Sequence, residues 1–332
     1  MSSLKEVAEF AGVSLMTVSR AINEPHKLKA KTLERVTAAI EELNYVPDLS
    51  AQKIRSGGNK STSIGVLSLD TATTPFSVEI LLSIEETVRK HGWNSFIINT
   101  FNHDDIDTEV NILLSHRPFG IIICTMGLKP IQIPNKLRHK PIALANCVSA
   151  SETFPVASYI PDDYQGQYQA TVELIQRGYK RPLCFYLPQK ALATQSRRAG
   201  FMAAWQQYNM DHVPLEYYMS DKDENFLDIL PVLEKHIDKG KCDFDVLVCG
   251  NDRLAFVAYQ YLLSKGLRIP QDVAVLGYDN MIGVGDLFVP ALTTVALPHY
   301  EMGRQAALHL IEERQDTKLH KLVSPMIMRN SL

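Results

Sequence analysis

No apolar run in this chain approaches the roughly 20 residues that a helix needs to cross a bilayer. A membrane-spanning helical protein is therefore excluded. The opening MSSLKEVAEF is amphipathic and carries two glutamates, unlike the apolar stretch of a secretory signal, so the expected compartment is the cytoplasm. Cysteine is scarce and odd in number: Cys124, Cys147, Cys184, Cys242 and Cys249, with no CxxC pair. Most sit in apolar runs and read as reduced core residues, which argues against a disulfide framework, a metal centre or redox chemistry. No cofactor and no metal are expected. No low-complexity tract is present, and no heptad run follows the last apolar segment, LVSPMIMR. Charge of one sign is not in excess either. The net charge is -3, and residues 1–60 hold nine Lys/Arg against seven Asp/Glu, too weak an asymmetry to indicate nucleic acid by itself. At 332 residues there is room for two or three domains of roughly 100–200 residues each.

What is present begins with LKEVAEFAGVSLMTVSRAI, from Leu4 to Ile22. Leu4, Val7, Ala8 and Ala11 recur at helical spacing. Gly12 then permits a tight turn, and Ser14 can cap a second helix whose inner face carries Val18 and Ile22. At about 100° per residue, Met16 and Arg20 must point away from Val18. Two short helices and a glycine turn describe a helix-turn-helix, with Met16, Thr17, Ser19 and Arg20 on its outer face. A generic helical hairpin is the bland alternative. A polar loop follows, in which Lys27, Lys29 and Lys31 suit either phosphate contacts or plain solvation. A third helix is expected over about 30–43, with Leu33, Val36, Ile40 and Leu43 on one face. Pro47 ends it, Asp48 can cap a further short helix to about Ser56, and Gly57 and Gly58 close that one. Such a short helix is not stable in isolation and would order only against a partner.

From Ser63 the character changes. SIGVLSL, NSFIINT, FGIIICT and PIALANC are apolar strands alternating with helical stretches, and a second set starts with PLCFYLP, FDVLVCG and DVAVLGY. Fully apolar strands separated by helices mean parallel sheets covered on both faces. Two such sets imply two lobes. Ligands bind at the carboxyl ends of these strands, which here read Asp70, Cys124–Thr125, Asn146, Asn251–Asp252 and Tyr278–Asp279. Trp93 and Trp205 lie inside element patterns and read as core.

The runs LKEVAEFAGVSLMTVSRAIN, LNYVPDLSAQKIRSGG, SRRAGF, GNDRLAFVAYQYLLSKGLRIPQDVAVLGYDN and PALTTVALP resemble the lac repressor (LacI/GalR) family along the whole chain. DTATTPFSVEILLSIEET, HGWNSFIIN, ANCV, SYIPDDY and KALAT resemble its sucrose-operon branch. The resemblance implies an all-α helix-turn-helix head at 1–46, a hinge helix and linker at 47–61, and a two-lobe α/β core at 62–332. That core would be shaped like a periplasmic binding protein, with an N-lobe at about 62–160 and 293–321 and a C-lobe at about 161–292 and 322–332. It implies a homodimer on pseudo-palindromic double-stranded operator DNA, and no tetramer. The reading positions fall on Leu15, Met16 and Arg20. Arg20 can donate two hydrogen bonds to a guanine, while Leu15 and Met16 offer only apolar contact; Leu15 can instead be partly buried. Thr17 and Ser19 suit phosphates. Ile54 stands at the family's minor-groove wedge, where a leucine is usual. Asp48 replaces a usual Asn, which weakens any close phosphate contact there.

The resemblance also implies a small sugar effector, sucrose or its fructose or glucose half. Sugar sites need planar polar groups and an apolar wall. Arg197, just before RAGF, and Asp279, after VAVLGY, match the family's effector-contacting arginine and aspartate. Asn251, Asp252, Asp70 and Asn146 complete the polar set, with Pro75 and Phe76 as the apolar wall. Asn146 stands where many members have Asp, and Ala193 where many have Ser or Thr. Asp252 can equally start the next helix. The function expected is repression of a sugar-utilisation operon, relieved by the sugar. The same fold acting as an activator, or with a co-repressor, is the alternative. A solute-binding protein fits worse, because it has no DNA-binding head. A glycosidase using Asp70, Asp252 or Asp279 also fits worse, because Arg197 would keep a nearby carboxylate ionised.

Overall fold

A computed structural model describes residues 3–43, 45, 62–70, 75–100, 106–221 and 225–332, without the side chains of 23 and 75–77. The chain divides into two units, Met1–Ser61 and Thr62–Leu332.

The first unit is helical. Helix α1 (Leu4–Phe10) is held at its start by a reciprocal cap: Ser3 Oγ accepts from the Glu6 amide, and the Ser3 amide donates to the Glu6 carboxylate at 2.6 Å. The chain turns through Gly12 at φ +58°, a left-handed conformation that glycine adopts without strain. Ser14 then caps α2 (Leu15–Asn23), accepting from the Thr17 amide at 3.2 Å. After a single 3-10 turn at Pro25–Lys27 comes α3 (Ala30–Glu42). The three helices close on Val7, Ala8, Ala11, Val18, Ala21, Val36 and Ala39. Four of these seven are alanines, so the helices can approach closely around three fully buried valines. The segment expected to form the hinge helix lies outside the described residues.

The second unit is α/β. Its first part runs β1 (Ser63–Leu69), α4 (Pro75–Lys90), β2 (Asn94–Thr100), α5 (Ile106–Ser115), β3 (Gly120–Ile131), β4 (Ile142–Ser149) and β5 (Ala157–Pro161). The second part runs α6 (Asp163–Gln176), β6 (Pro182–Tyr186), α7 (Leu192–Gln207), β7 (Leu215–Tyr218), α8 (Ile229–His236), a small hairpin β8 (Ile237–Asp238) and β9 (Lys241–Cys242), β10 (Val246–Cys249), α9 (Asp252–Ser264), β11 (Ala274–Asp279) and β12 (Thr293–Ala296). The chain ends with α10 (His299–Ile311), β13 (Leu319–Leu322) and β14 (Met326–Ile327).

One six-stranded sheet has the order β13-β5-β4-β3-β1-β2 and is parallel throughout; the other has the order β14-β12-β11-β10-β6-β7, with only β14 antiparallel. All seven residues of β1 are buried because helices cover both faces of its sheet. On one face Ile80, Ile84 and Val88 of α4 meet Met302, Ala306 and Leu310 of α10. On the other, Val110 and Leu113 of α5 pack on Leu67, Ile121 and Leu144. The chain leaves the first sheet after β5, returns after β12, and leaves again after β13. The return lies later than the sequence reading placed it: Thr293–Ala296 belongs to the C-lobe sheet, paired in parallel with Leu276–Asp279. The run TTVA is buried on three of its four residues and takes the open edge of β11 before the chain crosses. The short strands β5, β7, β13 and β14, and α8 with Pro231 in its first turn, were not legible as separate elements. All five cysteines are free and four are buried; burial pushes the Cys124 thiol up to about 12, which leaves it unreactive at neutral pH.

Gly303 of α10 sits where a Cβ would overlap Ser83 Oγ and the Ile80 carbonyl of α4. Gly303→Ala is expected to cost about 1–3 kcal/mol by overpacking and to lower the melting temperature. A variant that melts with the wild type would contradict this helix contact.

Candidate functional site

On the helical unit, α2 presents a divided surface. Val18 is fully buried while Met16 is 65% and Leu15 48% exposed. Leu15 is thus half in solvent, between the two readings given above. Arg20 is exposed, and its charge contributes to holding the nearby Glu24 carboxyl below its usual range, after Lys27. Thr17 is half-buried with its hydroxyl 2.9 Å from Ser14 Oγ, and Ser19 is half-buried. Lys27 is not free in this structure: it pairs with Glu24 at 2.6 Å. That pair is exposed and readily exchanged for another partner. Ile54 and Asp48 lie outside the described residues.

In the α/β unit the centre is Arg197, which projects from α7 and is 5% exposed. Its Nε donates to Asp163 Oδ1 at 2.8 Å and its Nη1 to the Gly250 carbonyl at 2.7 Å. Its guanidinium lies 3.7 Å from the centroid of the Tyr278 ring. Burial opposes the charge, but the Asp163 carboxylate and the Tyr278 side chain outweigh it and hold the guanidinium protonated. Asp279 ends β11 with φ +101° and is 7% exposed. Burial, then the neighbouring Asp252, pushes its carboxyl well above the usual range, and its Oδ1 is enclosed without a hydrogen bond in the chain. A cavity of about 430 Å³ opens beside it, lined by Glu79 of α4, the loop after β11 and the start of α10.

The other predicted residues have partners within the fold or side chains outside the described residues. Asn251 is the cap of α9, accepting from the Leu254 amide at 2.9 Å. Asp252 is completely buried, with Oδ1 accepting from the Thr294 hydroxyl at 2.7 Å and Oδ2 from the Met281 amide at 2.8 Å. It braces the loop after β11 and offers no free oxygen. Asn146, at φ +59° within β4, donates from Nδ2 to the carbonyls of Thr125 and Met126, bridging to β3 where the register of the two strands shifts. Asp70, at φ +57°, pairs with Lys129 at 3.0 Å. Pro75 and Phe76 open α4, but their side chains lie outside the described residues. The geometry therefore brings Arg197 and Asp279 together and puts Asp252 and Asn146 to structural use.

Sequence reasoning missed Asp163 and His299, and named Tyr278 only as a strand end beside Asp279. A buried arginine demands a carboxylate, and the run PDDY offers two neighbouring aspartates. Only the fold decides between them: Asp162 caps α6, and Asp163 takes the arginine. His299, 3% exposed at the start of α10, has its pKa lowered to about 4 by burial and then by Arg197. Among the described residues no cluster of histidine, cysteine and carboxylate groups could hold a metal ion, and no helix is long and apolar enough to cross a membrane.

Residues 3–48 match the profile of bacterial regulatory proteins of the LacI family, and 61–330 that of the periplasmic binding proteins and sugar binding domain of the same family. The sucrose operon repressors of Escherichia coli and Shigella flexneri are each 52% identical to this chain over 332 residues, covering all of both proteins. Among solved structures, a lac repressor dimer bound to operator and an anti-inducer superimposes with a TM-score of 0.81 at 24% identity, covering 99% of this chain and 98% of that one. The chain belongs to the LacI family of transcriptional regulators, with a helix-turn-helix head and a two-lobe α/β core.

The buried neutral state of His299 has a pH signature. Between about pH 4 and its usual value near 6.5, the unfolded chain binds a proton that the folded chain does not. Stability contributed by this group is therefore complete above that window and falls by up to about 3 kcal/mol as pH drops through it. Melting curves of wild type and His299→Asn from pH 7 to 4 should diverge accordingly, the variant losing less. Parallel curves would contradict the buried neutral imidazole.

Proposed function

We propose that this protein represses a sucrose-utilisation operon, binding its operator as a homodimer in the cytoplasm and leaving it when sucrose, or its fructose or glucose half, enters the core. The 52% identity to the sucrose operon repressors over their full length carries this reading. The exposed side chains of α2 support the DNA half: Arg20 donates to a guanine edge, Leu15 and Met16 meet apolar groups in the major groove, and Thr17 and Ser19 reach phosphates. Ile54, as an apolar wedge in the minor groove, completes the set.

Arg197 and Asp279 support the effector half, since a guanidinium and a carboxylate at a lobe junction can each take paired sugar hydroxyls. Asn251, Asp252, Asp70 and Asn146 act behind them as positioning groups, and Pro75 and Phe76 supply the apolar wall. The protein is not an enzyme in this reading. Asp252 has both oxygens committed, so the carboxylate pair a glycosidase needs is not at hand. For the partner subunit, the exposed apolar group Phe256, Leu287 and Val289 is the proposed contact; the Phe256 ring rests on Phe288, between the other two. Sugar binding rearranges the lobes and, through residues 47–61, disfavours the operator-bound state of the dimer.

Fluorescence anisotropy on a palindromic operator, at a stated salt concentration, tests the reading: sucrose, fructose or glucose should release the DNA. Tight binding insensitive to all three, or tightened by one of them, would contradict it. Arg20→Ala should weaken operator binding by roughly 5- to 150-fold, the worth of a bidentate base contact, and leave sugar binding intact. Ile54→Gly should show the same separation, and equal loss of both activities would sink the wedge.

A further inference from the structure

We infer that the cleft accepts an uncharged sugar and turns away its phosphate ester, with Asp163 as a further contact to the sugar; this rests on the sugar-responsive reading above. Several buried polar atoms have no hydrogen bond among the described residues. Asp163 Oδ2 and Asp279 Oδ1 are two of them, and Thr194 Oγ1, one turn before Arg197 on α7, is a third. An ionised carboxylate only accepts, and a sugar hydroxyl brings the proton it lacks; a carboxyl pushed up by burial, as Asp279 is, can also donate to that hydroxyl. A phosphate monoester brings acceptors and negative charge instead.

Among the described residues lining the cavity, the cationic groups are already engaged. Arg197 is committed to Asp163 and the Gly250 carbonyl. Arg329 is committed to Asp286, Asn280 and the Leu292 carbonyl. His299, with its pKa near 4, is uncharged at neutral pH. Six backbone donors of the lining are taken: the amides of Asn280, Met281, Val284, Gly285, Leu297 and His299 bond within the fold. The start of α10 would attract an anion; the Glu301 carboxylate in its first turn opposes this in part, since Arg304 pairs with it at 2.7 Å. Glu79 adds another carboxylate to the lining. The sugar is thus sensed as it arrives, ahead of any kinase or phosphorylating uptake step, and the reaction that consumes it is hydrolysis or phosphorylation.

The test uses the full chain on its operator, at matched ionic strength, titrated with sucrose, fructose and glucose and with fructose 6-phosphate, glucose 6-phosphate and inorganic phosphate. A neutral sugar should release the DNA, and phosphate esters should need at least about tenfold more. Release by a phosphate ester at equal or lower concentration overturns this inference and leaves a sugar-responsive regulator standing. Release by neither, with operator binding intact, overturns both. Asp163→Asn should weaken the neutral sugar and, by uncovering Arg197, strengthen the phosphate ester. Should that variant not fold, Glu79→Gln carries the test. It should narrow the gap between the two ligands several-fold, more at low salt than at high, and an unchanged gap at both salts overturns the charge-rejection account.

Discussion

A buried arginine cannot be left alone in a protein interior, and the effector half of this molecule is arranged around that constraint. Arg197 on α7 is satisfied by Asp163 at the first turn of α6, by the carbonyl that follows β10, and by the face of Tyr278 on β11. One guanidinium thus ties two helices and two strands of the same sheet at their ligand-facing ends. Removing one partner from such a pair typically costs about 3–5 kcal/mol, because the other charge is left buried. Replacing the whole set by apolar groups would cost far less. Its role is better understood as positioning than as stability: it fixes where the free oxygens of Asp163 and Asp279 stand.

Asp252 plays the supporting part. Its oxygens hold the Thr294 hydroxyl and the Met281 amide, so the loop after β11 is braced from β12 and α9. Asp279 lies at the start of that loop in a left-handed conformation, φ +101°, which is rare for any residue but glycine or Asn/Asp. A carboxylate next to another carboxylate in a desolvated site is electrostatically costly, and the hydroxyls of a bound sugar would relieve that cost.

Much of this fold was legible in the sequence. Ser14, Gly12 and the alternation of Val18 with Met16 and Arg20 define the helical head through local rules of capping and period. The apolar strands define the two parallel sheets for the same reason. The resemblance to the lac repressor family supplied Arg197 and Asp279 by motif. What stayed hidden depends on distant pairs. Asp252 and Asp279 look equivalent in sequence, each directly after a buried strand. They part company because Thr294 and Met281, 42 and 29 residues from Asp252, occupy one and not the other. Asn146 also follows an apolar run, and its amide reaches the carbonyls of Thr125 and Met126, some twenty residues away in β3. Asp163 was passed over because its partner lies 34 residues away on another helix.

The central claim is that one sugar and one operator compete through the same protein. Linkage then requires the coupling to be mutual. Calorimetric titration of the releasing sugar into free protein, and into protein saturated with operator, measures it most directly. The account predicts that operator weakens the sugar by the same factor by which the sugar weakens the operator. Identical sugar affinities with and without operator would contradict it.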